Sequence, residues 1–131
     1  MNRNLWKLPV PATAIIRGPF FKVLQKHQCE ISFSIEAEDG AEKIIALVFE
    51  DVEAFKCTYL SALGSIDHEL FKQSYANLIS LEISPWLTEI KMARKNNPTK
   101  TLVQQGEAQH LMISFDDGPC YEIICESFKL I

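Results

Sequence analysis

No run of apolar residues in this sequence approaches the roughly 20 that a membrane-spanning helix needs. The opening stretch, MNRNLWKLPVPATAII, carries scattered charges and two prolines, where a secretory leader would show an apolar run of about 7–15 residues. Both features place the chain in the cytoplasm, away from a membrane. Basic excess is missing as well: 13 Lys and Arg stand against 17 Asp and Glu, a net charge of −4. With nothing to neutralise phosphates in bulk, nucleic acid is not the expected partner. The five glycines (18, 40, 64, 106 and 118) are all isolated, so no glycine-rich phosphate cradle exists, and Gly18 before Pro19 and Gly64 before Ser65 read as loop punctuation. There is no GxSxG elbow and no cysteine-protease context. His68-Glu69 lacks the second histidine of a zincin. The four cysteines (29, 57, 120 and 125) form no CxxC pair for zinc. In a reducing compartment they are free thiols that behave as small hydrophobes. Nothing in the sequence asks for a cofactor.

What is present is one domain, residues 1–131, with 47% apolar and 23% charged residues, enough to bury a core without staples. In CEISFSIEAEDGAEKIIALVFE, Ile31, Phe33 and Ile35 alternate with Ser32, Ser34 and Glu36, which predicts a strand. Asp39-Gly40 predicts a two-residue hairpin that pairs Ile35 with Ile44, Phe33 with Ala46 and Ile31 with Val48. The returning strand is also apolar through Ile45, Leu47 and Phe49, the mark of a central strand covered on both faces. Phe55, Cys57 and Tyr59 alternate in a third strand. A helix follows over DHELFKQSYA, capped by Ser65 or Asp67, with Leu70, Phe71 and Ser74 on one face. NLISLEIS predicts a strand. Ser84-Pro85 starts a second helix, because serine caps the free N–H groups and proline loses nothing in the first turn. Its expected stripe is Trp86, Ile90 and Ala93, and Lys91, Arg94 and Lys95 suit its C-terminal end as a solvated basic cluster. Residues 96–109 read as a linker.

The chain closes with HLMISF, DDG and PCYEIICESFKLI. Leu111, Ile113 and Phe115 face the core together with Tyr121, Ile123 and Cys125 only if the intervening loop has an odd number of residues. A three-residue loop, 116–118, satisfies this, with Gly118 in the left-handed position and Pro119 opening the next strand. The same register sets His110 opposite Ile124 and diagonal to Glu122 and Glu126, about 7–8 Å away along the backbone. A histidine between two carboxylates is a candidate ligand or metal site or a general base, and equally a surface ion pair on a wet sheet. Asp116 lies about 20 Å along the strand from His110 and cannot join it. The acids of the DDG turn lack the spaced oxygens of an EF-hand. His27 and Cys29 alternate on one strand face and matter only if both enter a pocket. Trp6 is a candidate partner anchor; Trp86 belongs to the core.

The stretch from EISPWLTEI to HLMISFDDGPCYEIICESF resembles the C-terminal half of a group of small uncharacterised bacterial proteins that end in a helix, a strand, an FDD-type turn and a CYE-type strand. The resemblance covers the last third to two-fifths of the chain and implies no activity. Together these readings predict an α+β domain: a mostly antiparallel sheet of about six to seven strands, covered by two helices or partly closed on itself like a barrel. The function expected is that of a small cytoplasmic bacterial binding or interaction protein, an adaptor, inhibitor or immunity-type protein without enzymatic activity. A homodimer through edge strands fits it. The alternative is a small-molecule or metal-binding domain using His110, Glu122 and Glu126.

Overall fold

The computed structural model describes residues 1–62, 65–96, 107–116 and 119–131. Among these residues it is α+β, with two helices and nine strands in two antiparallel sheets in place of the one sheet expected, and no closed barrel. In chain order the strands are β1 (Arg3–Lys7), β2 (Arg17–Val23), β3 (Cys29–Glu36), β4 (Glu42–Glu50), β5 (Ala54–Thr58), β6 (Asn77–Ser80), β7 (Gln109–Ser114), β8 (Cys120–Cys125) and β9 (Ser127–Leu130); helices α1 (Ser65–Ser74) and α2 (Pro85–Lys95) flank β6. One sheet runs β1-β6-β7-β8-β5, the other β2-β3-β4-β9. Their inner faces share one core: Ile31, Phe33, Leu47 and Phe49 from the smaller sheet meet Leu78, Leu111, Ile113, Phe115 and Ile123 from the larger. Phe33 bridges the layers, with its ring centroid 6.3 Å from Trp6 and 5.8 Å from Phe115.

The β7–β8 pairing has the expected register. His110 lies opposite Ile124 and Ser114 opposite Cys120, and the Phe115 N–H donates to the Pro119 carbonyl at 3.0 Å. The left-handed glycine expected at 118 falls outside the described residues, as do most of the proposed linker and the side chains expected to cap α1. The β3–β4 hairpin differs by one residue. Ala37 and Ala41 close its loop, with the Ala37 N–H on the Ala41 carbonyl at 2.8 Å, and Gly40 takes φ +82°. The loop therefore holds three residues, 38–40, and Ile31 pairs with Leu47, Phe33 with Ile45 and Ile35 with Lys43. That single step moves Ile45, Leu47 and Phe49 into the core and turns Ile44, Ala46 and Val48 to the outer face.

The Gly-Pro pair read as loop lies inside a strand. β2 is an edge strand whose register shifts between Arg17 and Phe20, a bulge of the kind that lets a proline occupy a sheet edge. Gly18 has φ +100°, and a Cβ there would sit 2.9 Å from the Ser32 carbonyl oxygen and 3.1 Å from the Phe33 backbone. Both the left-handed backbone and the close approach require glycine.

Helix α1 lays Leu70 and Phe71 on Ile79, Leu81, Met112 and Cys120, a second apolar cluster on the outer face of the five-stranded sheet. Helix α2 begins as expected, with Ser84 Oγ accepting the Leu87 N–H at 3.0 Å and Pro85 in the first turn. Ala93 is exposed, so the expected stripe is corrected to Trp86, Leu87, Ile90 and Arg94, which are half-buried. Arg94 is not solvated either: its Nε lies 3.2 Å from the Glu53 carboxylate.

Gly18→Ala is expected to destabilise the fold by about 2–5 kcal/mol, the sum of left-handed strain and overpacking. Chemical denaturation measures it, and a loss under about 0.5 kcal/mol would show that the bulge relaxes freely.

Candidate functional site

The alternation of β7 sends His110 to the outer face of the five-stranded sheet, and α2 covers it there. The imidazole is only 4% exposed. Its Nδ1 lies 2.6 Å from Ser84 Oγ and its Nε2 2.9 Å from Glu122 Oε1. The Glu122 carboxylate can only accept, so it takes the Nε2–H, and in the neutral imidazole Nδ1 then accepts the Ser84 hydroxyl proton while Ser84 Oγ accepts the Leu87 N–H. Trp86 meets the imidazole edge to face at 5.2 Å between centroids. Lys56, opposite Glu122 on β5, sets its Nζ 3.8 Å from the other Glu122 oxygen and 4.5 Å from the centre of the Trp86 ring.

The structure thus unites His110 with Glu122 and adds Ser84, which the sequence presents only as a helix cap. Glu126 takes no part in this contact. It sits at the bend after β8, with its N–H on the Glu50 carbonyl and its own carbonyl accepting from Gln109. Among the described residues no three His, Cys, Asp or Glu side chains gather to hold a metal ion. The outer face is also not the wet sheet of the bland expectation, since Met112 and Ile124 beside His110 are buried.

Ser84, His110 and Glu122 have the connectivity of a serine–histidine–carboxylate relay. A reacting carbonyl would need access to Ser84 Oγ and donors facing its oxygen. Here the serine oxygen is held by the helix, Trp86 closes one side of the imidazole, and the described cavities are lined by other residues. The relay ties the start of α2 to β7 and β8. That attachment is polar because α2 has no fully buried residue of its own.

Trp6, the expected partner anchor, is half-buried on β1 and packs against the main core beside Phe33. His27 and Cys29 do line one cavity. His27 is in the turn before β3, and burial pushes the Cys29 thiol up to about 12, so it stays protonated and is no nucleophile.

Among the described residues no helix covers the outer face of the four-stranded sheet. Phe20 on β2 and Ile44 on β4 are 53% and 73% exposed and stand over a floor of Ser32, Ser34 and Ala46. The groove between them holds about 300 Å³, with Arg17, Lys22, Glu30 and Glu42 at its margin. Glu42 accepts from the Ser34 hydroxyl at 2.6 Å and from Arg17 Nε at 2.9 Å. The serine bond first, and Arg17 after it, hold this carboxyl below the usual range against the opposing effect of desolvation. Alternation alone shows that β4 is apolar on both faces. It does not show which face lacks a cover.

Compared with known proteins, the chain matches no family model, no curated protein and no solved structure.

Two outcomes follow from this geometry. Ser84→Ala should cost about 1–2 kcal/mol through the lost cap, and His110→Ala about 2–4 kcal/mol through the buried partners it strands. The double variant should cost at least about 0.5 kcal/mol less than their sum in a denaturation cycle, whereas additivity would deny the relay. In the groove, Ser34→Ala should return the Glu42 carboxyl toward the ordinary carboxylate range in an NMR titration. Because the folded value is depressed, the stabilisation is present above the unfolded carboxylate value and is lost as pH falls through the folded one; an unchanged Glu42 midpoint would assign the depression to Arg17 alone.

Proposed function

We propose that this chain is a small non-enzymatic interaction protein of the bacterial cytoplasm, an adaptor or an inhibitor of the immunity type, and that it docks a protein partner on the outer face of its four-stranded sheet. One observation carries this reading. Both helices lie on the other sheet, so Phe20 and Ile44 stay exposed over a floor of small residues that no described element covers. An exposed apolar centre within a charged margin is the anatomy of a protein interface. The acidic balance of the whole chain, −4, favours a partner with a basic surface around the contact.

Self-association is the second reading. Strand β9 pairs with β4 on one side only and ends in exposed Leu130 and Ile131, which offers a second copy an edge. The alternative of a metal or small molecule at His110, Glu122 and Glu126 has weaker support, because both ring nitrogens of His110 are already engaged within the fold.

Ile44→Glu and Phe20→Ser should leave the circular dichroism spectrum unchanged and weaken partner retention about 30-fold or more, the loss expected of a central anchor. Affinity capture with wild type and variants in parallel measures this. A partner set indifferent to both substitutions sinks the face-docking reading, and a wild-type dimer in sedimentation that Leu130→Lys dissolves would establish self-association through β9.

A further inference from the structure

A second concave site lies at one corner of the sandwich, away from the open sheet face. The turn between β2 and β3 meets the crossover from β4 to β5 there, around a cavity of about 490 Å³. Val23, Leu24, Val52, Ala54 and Phe55 supply its apolar walls, and His27, Gln28 and Glu53 its polar groups. That volume and that mixture are those of small-molecule sites.

Three observations set this cavity apart from an ordinary surface dent. Its rim is tied in place: the Val52 N–H donates to the His27 carbonyl at 2.8 Å, and the Leu24 N–H to the Gln28 carbonyl at 2.9 Å. Strain gathers on it. Lys26, His27 and Asp51 take φ of +58°, +57° and +55°, three of the four non-glycine residues with positive φ among the described residues. None of the three is glycine, although glycine would adopt this backbone without cost, and strained residues concentrate at ligand sites. Finally, its lips are apolar and uncovered, with Val23 67% and Phe55 46% exposed.

The chemistry of the lining selects a ligand class. Cys29 closes the floor at 1% exposure as a neutral thiol. The Glu53 carboxylate is paired with Arg94 at 3.2 Å, so the acid in the lining already has its counter-charge within the fold. His27 and Gln28 can each donate or accept a hydrogen bond. We propose that this corner cavity binds a small, uncharged, largely apolar molecule, with a ring or branched chain against Val23, Leu24 and Phe55 and one amide or hydroxyl end met by His27, Gln28 and Glu53.

Amide-resolved NMR titration of the full chain with benzamide and benzyl alcohol tests the class, with benzoate and benzylamine as charged counterparts of the same ring. Saturable shifts confined to residues 23–29 and 51–55, at millimolar affinity for the neutral probes and at least about fivefold weaker for both charged ones, support the proposal. Shifts that never saturate, shifts centred on Phe20 and Ile44, or tighter binding of either charged probe overturn it. Ala54→Phe, which fills the cavity, should abolish the shifts, while Ile44→Glu on the separate sheet face should leave them intact. His27→Gly removes the imidazole and relieves the backbone, so it should raise the melting temperature and weaken benzamide binding severalfold. A variant that gains stability and binds benzamide as before would leave His27 no role in the site.

Discussion

Everything in this fold depends on the odd length of its hairpin loops. Side chains alternate across a sheet with a period of two, so the loop decides whether the apolar sets of two paired strands share a face. Between β3 and β4 the three residues 38–40 keep Ile31, Phe33 and Ile35 beside Ile45, Leu47 and Phe49. Between β7 and β8, the Phe115–Pro119 bond serves the same end. The energetics are one-sided. Burying six such side chains is worth about 9–18 kcal/mol at about 1.5–3 kcal/mol each, as an upper figure. Backbone strain at a turn residue is about 1–3 kcal/mol. The core dictates the turn, and Gly40 at φ +82° accommodates it.

Once both inner faces are buried, the two outer faces meet different fates. That of the five-stranded sheet is covered by α1 through apolar contact and by α2 through polar contact. Ser84, His110, Glu122 and Lys56 form one connected set there, and Arg94 with Glu53 fastens the far end of α2. A polar attachment buried this deeply holds only while each member keeps its partner. It supplies direction: the cap that starts α2 is the same hydroxyl that meets the imidazole. The outer face of the four-stranded sheet receives no helix among the described residues, and Phe20 and Ile44 stay exposed on it.

Periodicity made the last hairpin legible residue by residue, because six apolar positions there satisfy only one loop parity. The same parity test does not decide β3 and β4, because β4 is apolar on both faces, and Asp39-Gly40 is so strong a two-residue turn signal that it suggests Ile35 opposite Ile44. Strands β1 and β2 are hidden for another reason. Pro19 and Gly18 read as breakers, yet an edge strand tolerates both at a bulge. The carboxylate contact of His110 was legible from the diagonal to Glu122. Its burial was not, since alternation assigns a residue to a face and leaves open which layer lies over it. Ser84 carried no signal beyond its cap, because the approach of α2 to β7 is a tertiary event between residues 26 positions apart. The polar neighbours of Trp6 conceal that on β1 its ring packs beside Phe33.

The edges of the sheets sharpen the case for a face as the contact surface. β1 and β2 are edge strands and both carry register irregularities, and β2 adds a proline; such devices discourage a further strand from pairing. β5 presents Lys56 on a short strand whose aromatic Phe55 is engaged by Phe21 at 4.9 Å. β9 is a regular edge, and it is four residues long. Continuity then matters more than length. The Ile131 N–H donates to the Ala46 carbonyl at 2.9 Å, so the residue after β9 lies directly beside the floor of the Phe20–Ile44 groove. Groove and edge form one surface, apolar in the middle, with Lys129 and Glu50 paired at 3.4 Å along its margin. A partner seated on Ile44 would reach the β9 backbone without leaving that surface. In the proposed interface, side-chain burial on the face and strand addition at the edge would be two contributions to one contact surface.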